Sequence, residues 1–194
     1  MKINMKQWLN DMIAAPVKKA VPVLSFPAIQ LMDISVRELI SDSSLQAEGM
    51  RRVAEHVPSA ASVSLMDLSV EAECFGSEVR VSDDEVPTIV GSVITDEDDL
   101  AAMTIPEIGA CRTGIYIDGI RKACEVITDR PVLAGVIGPY SLAGRLMDVT
   151  EIMYACYDEP ELVHGVLEKV TEFLINYIKA YRDAGANGVM MAEP

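Results

Sequence analysis

The sequence predicts an α/β fold that supplies about the first half of a (β/α)8 barrel, with four parallel strands. Three observations predict it. Short apolar runs recur four times, each stopping at a polar residue, a glycine or a proline. Segments with helical periodicity fill the intervals, and this alternation implies parallel strands joined by right-handed crossovers. No G-x-G-x-x-G and no P-loop sequence follows the first run, so a nucleotide-binding sheet is poorly supported. A complete barrel takes about 250 residues, whereas the fourth run here is reached only at the end of 194. Residues 1–194 are therefore expected to form a single domain, the N-terminal half of a barrel. Because half a barrel leaves two sheet edges open, the chain is expected to be a fragment of a longer protein or to pair with a second copy as a homodimer.

The elements follow in order. Residues 5–15 fit a short amphipathic helix with Trp8, Leu9, Met12 and Ile13 on one face. Residues 21–26 (VPVLSF) read as the first strand, ended by Pro27. Helices are expected at 35–40 and 44–56, with serines placed to cap them. The second strand, 63–66, lies in SVSLMDLSVEAECFG (residues 62–76), the stretch that carries the most chemistry. Residues 78–93 break the rhythm and read as a β-hairpin outside the main sheet. Helices follow at 95–103, capped by Thr95 or Asp96, and at 115–127. The third strand, 131–137 (PVLAGVI), runs into Gly138-Pro139-Tyr140-Ser141. Short helical pieces at 142–147 and 149–156 precede a long helix, 159–184, capped by Asp158. Its apolar residues recur in steps of three and four from Leu162 to Tyr181. Gly185 and Gly188 end that helix, and 188–192 (GVMMA) is the fourth strand, stopping at Glu193 and Pro194.

Composition narrows the function. A net charge of -14 repels both nucleic-acid phosphates and anionic lipid headgroups. The apolar runs are too short to span a bilayer, and residues 1–20 carry no secretory signal pattern, so a cytoplasmic protein is expected. Cys74, Cys111, Cys124 and Cys156 form no C-x-x-C pair and read as single buried thiols. His56 and His164 sit at no metal-motif spacing and are expected to be solvated, which leaves no metal set within this chain.

In β/α proteins the ligand site lies at the C-terminal ends of the strands. That rule singles out Asp67, at the end of the second strand, and Glu193, at the end of the fourth, as catalytic candidates. Glu71 and Glu73 add to the acidic group for ligand binding, but they also fit as first-turn helix acids stabilised by the macrodipole. Gly138, Pro139, Tyr140 and Ser141 offer close backbone approach and hydroxyl donors, and equally fit a strand-to-helix turn with Ser141 as N-cap.

With those residues in view, the chain resembles the uroporphyrinogen decarboxylase superfamily over nearly its whole length. The resemblance rests on MDLSVEAECFG, on the GPYSL turn and on the ending PELVHGVLEKVTEFLINYIKAYRDAGANGVMMAEP, in that order and spacing. It implies a (β/α)8 barrel and one of two chemistries. The decarboxylases carry an Arg-rich segment after the first strand, whereas SFPAIQLMDIS stands here, with no arginine between Lys19 and Arg37. A substrate with many carboxylates needs cations. The D-x-x-x-E-A-E pattern, Asp67 to Glu73, is instead similar to the cobamide-dependent methyltransferases. That branch implies methyl transfer between a corrinoid on a partner protein and a small thiol such as coenzyme M, activated on zinc. Its zinc ligands are expected beyond residue 194, in the second half of the barrel, where Glu193 would approach the metal. On this reading Asp67 lines the pocket, Glu71 and Glu73 shape its acidic wall, and residues 138–141 touch corrinoid or substrate. The 194 residues alone are expected to be inactive. The other readings are a decarboxylase-like lyase and a catalytically silent corrinoid-docking protein.

Overall fold

The computed structural model describes residues 3–193; Pro194, expected just after the last strand, lies outside them. The elements are α1 (Met5–Ala14), α2 (Ala28–Met32), α3 (Val36–Ser41), α4 (Ser43–His56), β1 (Ser62–Val63), α5 (Val70–Cys74), β2 (Glu78–Arg80), β3 (Thr88–Val90), α6 (Glu97–Ala102), α7 (Thr113–Val126), β4 (Val132–Ile137), α8 (Pro139–Met147), α9 (Val149–Asp158), α10 (Pro160–Ala184) and β5 (Gly188–Ala192).

Three strands form a parallel sheet in the order β1-β4-β5, with Ser62 opposite Val132 and Leu133 opposite Gly188. β2 and β3 form the expected antiparallel hairpin, held to α3 by the backbone bond from Val36 N to Asp83 O, 2.8 Å. α7 and α10 pack on β4, α4 packs on β1 and α7, and α8 packs on α10. The core lies between these helices and the sheet. Its largest side chains are Phe173, Tyr177 and Tyr181 of α10, which stack in sequence after Phe75. The three-and-four spacing on α10 thus names the residues that fill the layer.

Residues 21–26 are not a strand. Pro22 and Pro27 lack the N–H a ladder needs, and the segment is fastened beside β1 by a side chain instead. Ser25 Oγ is shared between Val63 O at 2.7 Å and Ser64 O at 2.6 Å. The β1 ladder is also shorter than residues 63–66. Past Val63, Gly135 N donates to Ser64 Oγ at 2.8 Å, and a Cβ on Gly135 would stand 2.8 Å from Leu65 O. That glycine is needed for close approach of the two backbones.

Caps account for several helix starts. Ser35 and Glu38 form a capping box at α3. α4 is capped by Asp42 rather than by a serine, and α6 by Asp96. Asp158 does not cap α10; it is the last residue of α9, and Glu159 with Pro160 begins the long helix. Among the described residues, no helix is long and apolar enough to cross a membrane.

Candidate functional site

The C-terminal ends of the three parallel strands gather the charged residues. After β1 the chain turns at Asp67 and Ser69 into α5, one helical turn that presents Glu71 inward and Glu73 toward its edge. The start of α7 comes down beside it and contributes Arg112 and Tyr116, which the sequence reading missed. Spacing could not find them, since they lie 45 and 49 residues from Asp67. A charge signal was present, however. No lysine or arginine occurs between Arg80 and Arg112, so Arg112 stands alone at the end of an acidic stretch.

Asp67 is the centre of this cluster, and none of its side chain reaches solvent. Oδ1 accepts from Ser69 N at 3.1 Å and Ser69 Oγ at 2.6 Å. Oδ2 accepts from Tyr116 Oη at 2.7 Å and from the Arg112 guanidinium. Both oxygens are filled from within the protein. The same guanidinium binds Glu73 at 2.7 Å through Nε and Ser69 Oγ at 2.8 Å through Nη2. Burial works against the Arg112 charge, but the Asp67 and Glu73 carboxylates outweigh it and hold the group protonated. Burial and the Asp67 charge push the Tyr116 phenol well above its ordinary range.

Glu71 behaves differently. It is buried, so it is not the solvated first-turn acid that its position suggested. Oε1 accepts from Ile137 N at 3.2 Å, at the end of β4, while Oε2 has no partner. Burial, opposed in part by hydrogen bonds from its own and the Ile137 backbone N–H, pushes its pKa up to about 7. Glu71 is thus a proton-holding group near neutrality with one free oxygen.

Through Ile137 this cluster joins a second one. Gly138 N donates to Ala192 O at 2.7 Å, which closes the end of the β4–β5 pair. Glu193 then turns back over α8, its Oε1 accepting from Tyr140 N at 2.8 Å and Oε2 from Ser141 N at 3.0 Å. A carboxylate is favoured there by the positive end of the helix. A Cβ on Gly138 would overlap that carboxylate. Gly138 is the N-cap and Pro139 the first helical residue, so Ser141 lies inside the helix and does not cap it. The Tyr140 hydroxyl faces the Cys156 thiol at 3.7 Å. Arg145, by contrast, lies in the last turn of α8.

Asp67, Glu71 and Glu73 therefore share one cluster, and Gly138, Pro139, Tyr140, Ser141 and Glu193 share the adjoining one. His56 and His164 are exposed, as expected. None of the four cysteines is fully buried, contrary to expectation: Cys74 and Cys124 are half-buried, Cys111 and Cys156 exposed. Among the described residues, no group of three or more His, Cys, Asp or Glu side chains is placed to hold a metal ion.

Known proteins resemble this chain in sequence and fold. Over 130 residues the chain is 24% identical to the methylcobamide:CoM methyltransferase MtbA of Methanosarcina acetivorans, covering 66% of this chain and 38% of that protein. It is also 24% identical over 164 residues to a uroporphyrinogen decarboxylase of Hydrogenovibrio crunogenus, covering 81% of this chain and 46% of that one. The chain thus spans less than half the length of these relatives. A solved methyltransferase from Methanosarcina mazei superposes with a TM-score of 0.84 at 23% identity, covering 98% of this chain and 59% of that chain. That likeness places the parallel sheet and its helices as part of the same barrel fold. The uroporphyrinogen decarboxylase (URO-D) family profile matches residues 12–193, nearly the whole of what is described, and the chain belongs to that family.

Proposed function

We propose that the complete protein transfers a methyl group between a corrinoid carried by a partner protein and a small thiol such as coenzyme M. One observation carries the choice between the family's two chemistries. Arg112, the arginine beside the strand ends, is already bound to Asp67 and Glu73, and every Asp67 oxygen is filled. A porphyrinogen carrying many carboxylates would find neither a free cation nor a free aspartate oxygen in this cluster. A small thiol such as coenzyme M, with one anionic sulfonate in place of many carboxylates, asks for far less cationic charge. The names of the methyltransferase relatives support the same choice.

In this reading Asp67 holds Arg112 in place, and Arg112 fixes Glu73 at the rim. Glu71 is the group with an uncommitted oxygen, suited to hold or pass a proton at Oε2. Glu193 orients the start of α8, so that Tyr140 and Ser141 present their side chains beside the strand ends. Zinc, when bound, lowers the pKa of a thiol and yields the thiolate nucleophile; its ligands would come from outside residues 1–194. The reaction belongs in the cytoplasm.

The test uses the full-length natural protein, assayed for zinc content and for demethylation of a methylcobamide by coenzyme M, with uroporphyrinogen decarboxylation in parallel. About one zinc per chain together with thiol methylation is the expected result. Decarboxylation without zinc would overturn the proposal in favour of the lyase. Corrinoid-protein binding with neither activity would overturn it in favour of a silent docking protein.

A further inference from the structure

Cys74 and Cys111 are 37 residues apart in the chain and face each other at the junction of α5 with the turn before α7. The contact is reciprocal. The Cys74 thiol donates to Ala110 O, the carbonyl just before Cys111, at 3.3 Å, and the Cys111 thiol points to Glu73 O, just before Cys74, at 4.0 Å. Cys111 is exposed and Cys74 half-buried, so an outside reagent meets Cys111 first. Cys111 also adopts a left-handed backbone, φ 48°, which side chains adopt only where the surroundings hold them. Burial, with the neighbouring Cys111 thiol as the next cause, pushes Cys74 up to about 12, so Cys74 stays protonated while its neighbour is reduced.

We propose that Cys74 and Cys111 form a disulfide-forming modification site that reacts with hydroperoxides. The Cys111 thiolate attacks the O–O bond, forming Cys111 sulfenic acid and releasing the alcohol or water of the reduced peroxide. Cys74 then loses its proton and attacks that sulfur. The S–O bond breaks, water leaves and the Cys74–Cys111 bond forms. Two electrons pass from the thiol pair to the peroxide. The exposure of Cys111 and the burial of Cys74 order the two steps. The product would lock the turn carrying Arg112 onto the end of α5, and so fix the guanidinium on Asp67 and Glu73. This site does not depend on which reaction the complete protein performs.

The experiment treats the full chain with one equivalent of hydrogen peroxide, counts free thiols under denaturing conditions and maps the peptides. Free thiols are expected to fall by two, with one peptide pair joining Cys74 to Cys111 and lighter by two hydrogen atoms. Cys111→Ser should abolish the link and Cys156→Ser should leave it. Unchanged thiols, a link through Cys124 or Cys156, or Cys111 driven to sulfinic acid with Cys74 still free would each overturn the proposal. Because peptide mapping reads the natural sequence directly, the conclusion stands even where a serine variant fails to fold.

Discussion

At the residue scale, Glu71 has the most to say about pH. Its carboxyl ordinarily titrates at 4.5 and is raised to about 7 in the fold. The native state therefore holds an extra proton between those values, and stability falls as pH rises through the interval. The full penalty above pH 7 is about 3 kcal/mol, from about 1.4 kcal/mol per unit. Glu71→Gln keeps an acceptor for Ile137 N and removes the charge. It should lose most of that pH dependence and stabilise the protein at pH 8 by up to about 3 kcal/mol. Urea unfolding at pH 5 and pH 8 measures this directly. Equal pH slopes in the variant and the natural chain would show that Glu71 does not carry the proton. The sequence put Glu71 at the right strand end, yet its burial was invisible there, because a first-turn glutamate reads the same whether it faces water or the core.

At the scale of elements, Arg112 is the tie between α5 and α7. Removing it leaves Asp67 buried with an uncompensated charge, a change that costs about 3–5 kcal/mol. Arg112→Ala is therefore expected to lower the denaturation midpoint sharply, and adding Asp67→Asn should recover part of the loss. Strictly additive losses would mean that the pair is not coupled. By the same logic Asp67→Ala would unfold the support before it tested any chemistry. Elements were legible where one segment carries its own signal. The stripe on α10 and the turn chemistry of the β2–β3 hairpin are of that kind. Residues 21–26 misled because an apolar run resembles a strand even where prolines withhold the donors, and Ser25 anchors it in place of a ladder. The Asp67–Arg112–Tyr116 cluster was hidden for a different reason: its members meet only after β1, the hairpin and α7 have folded together.

At the scale of the whole molecule, the described sheet has an open side. β5 pairs with β4 on one edge, and Met191 is 44% exposed on the strand. Unpaired strand edges recruit other strands. Residues 1–194 expressed alone should associate as concentration rises, and Met191→Lys should weaken that association, as followed by sedimentation. A single monomeric species at every concentration, for both forms, would show that the edge is not sticky. The opposite edge is better protected, since residues 20–25 run alongside β1 and Ala60 N donates to Ala20 O at 2.8 Å.

The position of Trp8 decides what light can report about this protein. It is the one tryptophan in the sequence, and its indole N–H reaches Ala60 O at 3.3 Å from α1, a helix with no buried residue. Its emission therefore watches the hold of α1 on the loop that enters β1. The aromatic column of Phe173, Tyr177 and Tyr181, on which the core depends, stays dark to it.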